Sequence, residues 1–229
     1  MHRMFLLCFT PLLLLGCNRS DAADAVHMTE AEARADIAAG GRGRARLNPD
    51  PTQAYWITLR IDNAPGDFKY VKGGAQYDVV NEDECGRTHP MTGLPARMTS
   101  LEDMQLTRIS DTEYRGLVYA DYMQDEDYYG RGVCRWQLTG ANATLKATGA
   151  HEETRFFADI DGSAVLSGAP RTLYHARHLF PRARPTDEYP NVPWVDDHAS
   201  TGHRDPSVIV AAVRAKAFTV TMTAEEIAP

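Results

Sequence analysis

The chain has 229 residues, of which 43% are hydrophobic and 24% are charged, and this composition is sufficient for one globular domain with an apolar core. The net charge of -7 counts against a nucleic-acid partner, because phosphate binding depends on clustered Lys and Arg. An acidic chain of this kind favours a basic protein partner instead.

The N-terminal residues have the pattern of an export signal. Arg3 precedes an apolar run over residues 4–15, which is too short to span a bilayer, and Gly16 and Cys17 follow. We therefore predict a signal peptide over residues 1–16. An ordinary secretory signal with Cys17 present by chance is the alternative.

The Leu14-Leu15-Gly16-Cys17 ending resembles the lipobox of bacterial lipoproteins. The resemblance implies that Cys17 is lipidated and becomes the first residue of the mature protein, so that membrane lipid is one partner of the chain. Acyl chains on one residue hold a soluble domain at a membrane surface. Asn18 stands where an Asp would retain many lipoproteins in the inner membrane, which favours the outer membrane and a domain facing the periplasm.

Residues 17–50 are predicted to form a lipidated tether and a short helix. The polar stretch over 18–28 is the tether. A helix is predicted over 29–39, because Thr29 is a good N-cap and Glu32 lies three residues further on, as in a capping box.

Residues 51–229 are predicted to form a single β-rich domain. In Tyr55–Ile61 every second residue is apolar, which is typical of a strand with one buried face. Short strands between Gly, Asn and Asp turns predict a mostly β fold, either an antiparallel sandwich or a partly open barrel. The other predicted strands cover residues 75–80, 104–109, 114–120, 133–138, 144–148, 154–160 and 218–222. Residues 170–206 lack periodicity and are predicted to be a long irregular excursion.

Two cysteines remain in the domain, Cys85 and Cys134. An even pair in an oxidising compartment predicts a disulfide, with two free thiols or a metal pair as the alternatives. Trp136 lies two residues after Cys134, so a strand would place both on one face. We therefore expect Trp136 in the core near the disulfide.

A tyrosine-rich acidic segment, which we name the acidic loop, is the candidate partner-binding site. Its candidate residues are Asp121, Tyr122, Asp125, Glu126, Asp127, Tyr128 and Tyr129. Tyrosine supplies contact area at low entropic cost, and acidic groups attract basic partners. Two other interpretations stay open: a solvated hairpin loop and a Ca²⁺ site. The EF-hand pattern, counted from Asp121, is not matched. Glu126 stands at the sixth position, where a turn glycine belongs, and Gly132 stands at the twelfth, where a glutamate is needed.

The sequence does not contain a recognisable catalytic signature. There is no Gly-x-Ser-x-Gly motif, and no strand precedes the Gly40–Gly43 stretch as a phosphate-binding loop requires. His175 and His178 have a spacing that could place two imidazoles on one helix face, with Asp196-Asp197-His198 as further ligands, but scattered surface histidines are the alternative. We predict no catalytic residue, metal or cofactor.

The middle of the chain resembles small proteobacterial envelope lipoproteins, some of which are encoded beside antibacterial toxins of contact-dependent secretion systems. The similarity lies in residues 76–81, Cys85 and residues 125–136, within a region covering about 55–160. It implies an immunity protein that binds and inhibits a secreted toxin. The alternative function is an envelope-assembly or cell-wall-associated structural lipoprotein. A cell-envelope hydrolase is the third candidate.

Overall fold

The computed structural model describes residues 28–88, 91–192 and 194–228. The predicted signal peptide, Cys17 and the tether up to residue 27 lie outside the described residues. The chain divides into two compact units, with the boundary between Arg44 and Ala45. Within the described residues, none of the helices is both long enough and apolar enough to cross a bilayer.

The first unit contains a helix, α1, over Glu30–Ala38. It begins at the predicted capping box: the Glu32 N–H donates to the Thr29 hydroxyl at 3.3 Å, and the Thr29 N–H donates to the Glu32 carboxylate at 2.7 Å. Because both backbone donors would otherwise lack a helical acceptor, this reciprocal pair fixes the start of the helix. The predicted helix is confirmed.

The second unit consists of two packed five-stranded sheets with short helical segments at their ends. Its elements are β1 (Ala54–Asp62), β2 (Tyr70–Val79), α2 (Glu82–Cys85), β3 (Thr99–Met104), β4 (Thr107–Arg108), β5 (Glu113–Tyr119), β6 (Trp136–Lys146), β7 (Arg155–Asp161), α3 (Gly162–Ser167), β8 (Arg171–His175), β9 (Ala199–Ser200), α4 (Ala211–Arg214) and β10 (Phe218–Glu226). One sheet has the strand order β4-β5-β1-β10-β8 and the other β3-β2-β6-β7-β9. These strand pairs are antiparallel except β7 with β9. This confirms the predicted mostly β class, and the two sheets form a sandwich rather than a closed barrel.

The core lies between the two sheets and is built from every second residue of the strands. In β1 the buried side chains are Tyr55, Ile57, Leu59 and Ile61, as the alternation predicts. Each fully buried aliphatic side chain contributes about 1.5–3 kcal/mol of burial free energy relative to solvent exposure. The alternation therefore accounts for which face of each strand turns inward.

Two strands are longer than the sequence predicts. Strand β2 begins at Tyr70 and passes through Gly73, where a Cβ would lie 2.7 Å from the Met104 carbonyl oxygen, so the close approach of β3 requires glycine. Strand β6 is continuous where two strands were predicted, because the buried Ala141 and Ala143 interrupt the β-branched pattern but not the ladder.

The predicted irregular excursion over residues 170–206 is irregular only in part. Its start forms β8, which pairs with β10, and Ala199–Ser200 forms the short β9 beside β7. Between these two strands, the stretch over residues 176–198 includes a 3₁₀ turn at Arg177–Leu179.

Candidate binding surface

Asp121 joins the start of the acidic loop to the segment that leads into β1. Its carboxylate accepts hydrogen bonds from the N–H of Thr52 at 2.8 Å, the hydroxyl of Thr52 at 3.0 Å and the N–H of Gln53 at 3.0 Å. Burial alone would raise the pKa of Asp121, but these donors lower it below its ordinary value. Asp121 is thus an ionised anchor for the loop.

Asp125 and Glu126 hold the middle of the loop against neighbouring backbone and side chains. The Asp125 carboxylate accepts the backbone N–H of Trp136 at 2.8 Å. The Glu126 carboxylate accepts two hydrogen bonds from the Arg46 guanidinium, one of them from Nε at 2.8 Å. Such bidentate pairing fixes both distance and orientation, so the loop is closely positioned from both sides.

Asp127 closes the end of the loop through its own turn. Its carboxylate accepts the backbone N–H groups of Tyr129 at 3.3 Å and Arg131 at 3.0 Å. Against the opposing effect of burial, backbone donors of this turn lower the pKa of Asp127. The side chain is exposed, so the charge remains accessible while the hydrogen bonds order the backbone.

The three candidate tyrosines point toward the domain to different degrees. Tyr128 is only 8% exposed, and its hydroxyl donates to the Gln124 carbonyl oxygen; burial raises its pKa. The ring of Tyr128 therefore belongs to the core and not to an exposed surface, contrary to the expected position. Tyr122 and Tyr129 are partly buried against the core. The role of the loop in partner binding stays a prediction.

The predicted disulfide between Cys85 and Cys134 is confirmed. Their Cα atoms are 5.1 Å apart and both side chains are fully buried. The Cys134 N–H also donates to the Glu126 carbonyl oxygen at 2.9 Å. The bond therefore links α2 to the segment that follows the acidic loop.

A cleft of about 490 Å³ opens beside the acidic loop. Four separate parts of the chain line it: the segment before β1, the loop itself, the start of β6 and α3. None of the described residues that line it is Lys, Arg or His. Its polar and apolar walls are formed by Asn48, Gln53, Asp121, Gln124, Asp125, Gln137, Trp136 and Leu166.

Trp136 is partly buried and packs at the margin of the core, where it forms one wall of the cleft. The expected position of Trp136 in the core is therefore corrected in part, because the cleft leaves part of the indole uncovered. Leu166, which also lines the cleft, is 44% exposed. The cleft therefore combines carboxylates and side-chain amides with two accessible apolar groups.

The candidate histidines do not converge. His175 is fully buried with its Nδ1 3.0 Å from the Ser200 hydroxyl, whereas His178 stacks on Tyr189 with ring centroids 3.9 Å apart. Asp197 pairs with Arg155 and Lys146. Over the described ranges, no group of three or more His, Cys, Asp or Glu side chains is arranged to hold a metal ion.

No protein-family model, curated protein or solved structure matches this chain. The chemistry of the surface follows from its own groups: the ionised Asp121 and the exposed Asp125 and Asp127 attract cations, and the amides donate and accept hydrogen bonds. Sequence reasoning located the loop by its charge density. It missed Gln53, Gln137 and Leu166 as cleft residues, because they are distant in sequence and have no signal of their own.

Proposed function

We propose that the chain is a lipid-anchored envelope lipoprotein that binds another protein, most concretely as an immunity protein that inhibits a secreted antibacterial toxin. The observation that carries the proposal is the internally braced acidic loop beside a cleft of carboxylates, amides and accessible apolar groups. An interface needs such a combination of a polar rim and buried apolar anchors.

The bracing of the loop favours tight binding. Because Asp121, Asp125 and Glu126 already hold defined partners, the loop has little conformational freedom left to lose on association. Preorganisation of this kind raises affinity by lowering the ordering cost. The negative charge of the chain, -7 in total, also accelerates the encounter with a basic partner at low ionic strength.

The expected bound group is a basic side chain that projects from the partner surface. It enters the cleft between Asp121 and Asp125, and the apolar part of its stem packs on Trp136, as Arg and Lys stems do on aromatic rings. Leu166 of the same cleft supplies a second apolar contact.

The proposed location is the periplasmic face of the outer membrane, with lipid on Cys17 and the tether separating the domain from the bilayer. Metabolic labelling with a palmitate analogue followed by membrane fractionation tests this part. The full chain should carry the label and sediment with outer membranes. A Cys17→Ser variant should do neither, and labelling of that variant would contradict the anchor.

Co-culture tests the immunity function and does not require the toxin to be identified. A strain that lacks the gene is mixed with its parent on a solid surface, and survival is counted. We expect loss of the mutant in contact with the parent and rescue by the full chain supplied in trans. Equal survival of the mutant without rescue contradicts the immunity function.

The cleft is tested in the same assay with matched variants. Asp125→Asn keeps an oxygen that accepts the Trp136 N–H but removes the charge, and Leu166→Arg adds a repulsive cation to the cleft. Together they should abolish rescue without loss of folded protein. Val208→Arg, at another exposed apolar position, is the control and should rescue fully. Rescue by the cleft variant would place the binding surface elsewhere.

A further inference from the structure

Some hydrogen-bonding groups of the cleft beside the acidic loop are already engaged. Oδ2 of Asp121 accepts both the N–H and the hydroxyl of Thr52, and its Oδ1 accepts the N–H of Gln53. Because a carboxylate oxygen accepts about two hydrogen bonds, Asp121 has capacity for about one further donor. The side-chain amide of Asn48 donates to the Asp121 carbonyl oxygen at 2.9 Å and accepts the Asp50 N–H at 3.1 Å. These two residues therefore hold the shape of the cleft and leave little capacity for a ligand.

Asp125 is the carboxylate with the most remaining capacity. Its Oδ1 accepts the backbone N–H of Trp136 at 2.8 Å, whereas its Oδ2 accepts no hydrogen bond from the part of the chain that the structure describes. The side chain is exposed at the cleft. A ligand can therefore donate to Oδ2 without breaking the contact that orients Asp125.

Three glutamines add neutral acceptors from three different parts of the chain. Gln53 comes from the segment before β1, Gln124 from the acidic loop and Gln137 from β6. Their side-chain amides make no hydrogen bond within the described ranges. Each amide oxygen accepts up to two hydrogen bonds. With Asp125, the cleft thus offers acceptors that one ligand donor could not satisfy.

The charge of the cleft selects a cation. Asp121 and Asp125 are the charged groups among the described residues that line it. A neutral ligand such as a sugar would share the hydrogen bonds but would not gain from these two charges, whereas a basic side chain gains from both.

The aromatic wall distinguishes between the two common basic side chains. Trp136 is partly buried, and its indole forms part of the lining. The guanidinium group of arginine is planar and weakly hydrated, so it stacks on an aromatic face while the edge of the plane donates hydrogen bonds. The ammonium group of lysine is compact and strongly hydrated, and it has three donors where arginine has five.

We infer that the basic side chain bound by the cleft is an arginine of the partner protein, and that Gln53 and Gln137 make the cleft select arginine over lysine. This inference rests on the protein-binding function proposed above and names the group that the partner contributes. The guanidinium plane stacks on Trp136, one N–H edge donates to Oδ2 of Asp125, and the remaining N–H groups donate to the glutamine oxygens. A lysine would gain from the charge but would leave most of the amide acceptors unused.

Titration with three blocked pentapeptides of the form Ala-Ala-X-Ala-Ala tests the selectivity. X is arginine, lysine or citrulline, which has the shape of arginine without its charge. The NMR signal of the Trp136 backbone amide, which contacts Asp125, reports binding to the purified protein at constant ionic strength. We expect saturable binding of the arginine peptide in the millimolar range and at least about tenfold weaker binding of the other two.

Each peptide can overturn a different part of the inference. Lysine binding within about twofold of arginine would remove the selectivity, and citrulline binding within the same range would remove the recognition of charge. Absence of saturation with the arginine peptide would overturn the arginine site as a whole.

Variants separate the role of the amides from the role of the charge. Gln53→Ala combined with Gln137→Ala should weaken arginine binding at least about fivefold and leave lysine binding within about twofold, because lysine depends chiefly on Asp125. Asp125→Asn should weaken both peptides by a similar factor. Gln105→Ala, at an exposed glutamine outside the cleft, is the control and should change neither affinity. An unchanged ratio of arginine to lysine affinity in the double variant would contradict the role of the glutamines.

The co-culture assay keeps this inference distinct from the immunity function. If the peptides show no selectivity while the cleft variant still abolishes rescue, the cleft binds the toxin through another group and the arginine assignment is wrong. If the arginine peptide binds selectively while the strain that lacks the gene survives as well as its parent, the arginine site stands and the immunity function is contradicted.

Discussion

The segment around the acidic loop, residues 121–134, and the excursion over residues 170–206 both lack a regular sequence pattern, yet they are held in different ways. The first end of the segment over residues 121–134 is held by hydrogen bonds from the backbone of Thr52 and Gln53 to the Asp121 carboxylate. The other end is held by the disulfide between Cys134 and Cys85. Few residues separate one anchor from the next.

The excursion contains no cysteine, and its noncovalent links, which also include further hydrogen bonds and ion pairs to other parts of the domain, are spread over a longer stretch of chain. His175 contacts Ser200, and Asp197 pairs with Arg155 and Lys146. Between them Trp194 is 74% exposed. The comparison indicates that an irregular segment is as rigid as the spacing of its side-chain anchors permits, because each anchor limits the entropy only of the residues next to it.

Loss of the disulfide should destabilise the protein through the segment over residues 121–134, which is the better anchored of the two. Replacement of both Cys85 and Cys134 by Ala should lower the free energy of unfolding by about 4 kcal/mol, because the bond closes a loop of 49 residues in the unfolded chain. Urea denaturation of the variant and the oxidised protein measures the difference. A loss of less than about 1 kcal/mol would show that the carboxylate contacts alone hold the loop.

Acid should act on the excursion instead, through His175. Burial lowers its pKa to about 4, from 6.5 in the unfolded chain. The unfolded state therefore binds more protons between these values, and stability is fully present above about pH 6.5 and is lost as the pH falls toward 4. A difference of about 2.5 units corresponds to about 3 kcal/mol.

Unfolding free energies at pH 7 and pH 4.5 test this dependence, and His175→Leu should flatten the pH profile in that window. His178→Asn is the matched control. The His178 ring is only partly buried, and burial lowers its pKa without the large shift found for His175. If His175→Leu keeps the slope of the unmodified protein, the acid sensitivity originates outside the excursion.

The sequence predicts the sandwich because alternation reports burial directly, as in β1, and the capping box predicts the start of α1 because both partners are local. It missed β8 because these five residues, which follow Pro170, carry little periodicity. The short predicted form of β2 reflects Gly73 and Gly74, which weaken the strand pattern, although the close approach of β3 requires glycine at Gly73.

The candidate site was predictable only where its residues are contiguous. The acidic loop was visible in the sequence, but the direction of each side chain was not: Tyr128 and the exposed Asp127 are adjacent and have opposite environments. The cleft joins Gln53, Gln137 and Leu166 through the sheet topology, and that topology is set by long-range packing which no local pattern encodes.

A smaller effect should follow from loss of the Asp121 carboxylate, which sharpens the comparison within the better-anchored segment. Asp121→Ala leaves the N–H groups of Thr52 and Gln53 without this acceptor and should cost about 1–2 kcal/mol in urea denaturation. Asp111→Ala is the control, because that side chain is almost fully exposed and should change stability little. Equal losses in the two variants would mean that charge, and not the anchoring contacts, determines the effect.

The smallest expected effect is local and concerns the ion pairs that tie the excursion to the sheet. Asp197 has a positive φ of 54°, which Asn tolerates, so Asp197→Asn removes the charge that pairs with Arg155 and Lys146 without straining the backbone. We expect faster trypsin cleavage within residues 176–198, detected by mass spectrometry, with a nearly unchanged melting temperature. The cleavage rate should also rise with salt in the unmodified protein, since the pairs are partly exposed and therefore screened. Asp187→Asn removes the same charge from the same segment and should not increase cleavage. Equal cleavage of the two variants would show that the excursion is held by β8 and β9 rather than by its ion pairs.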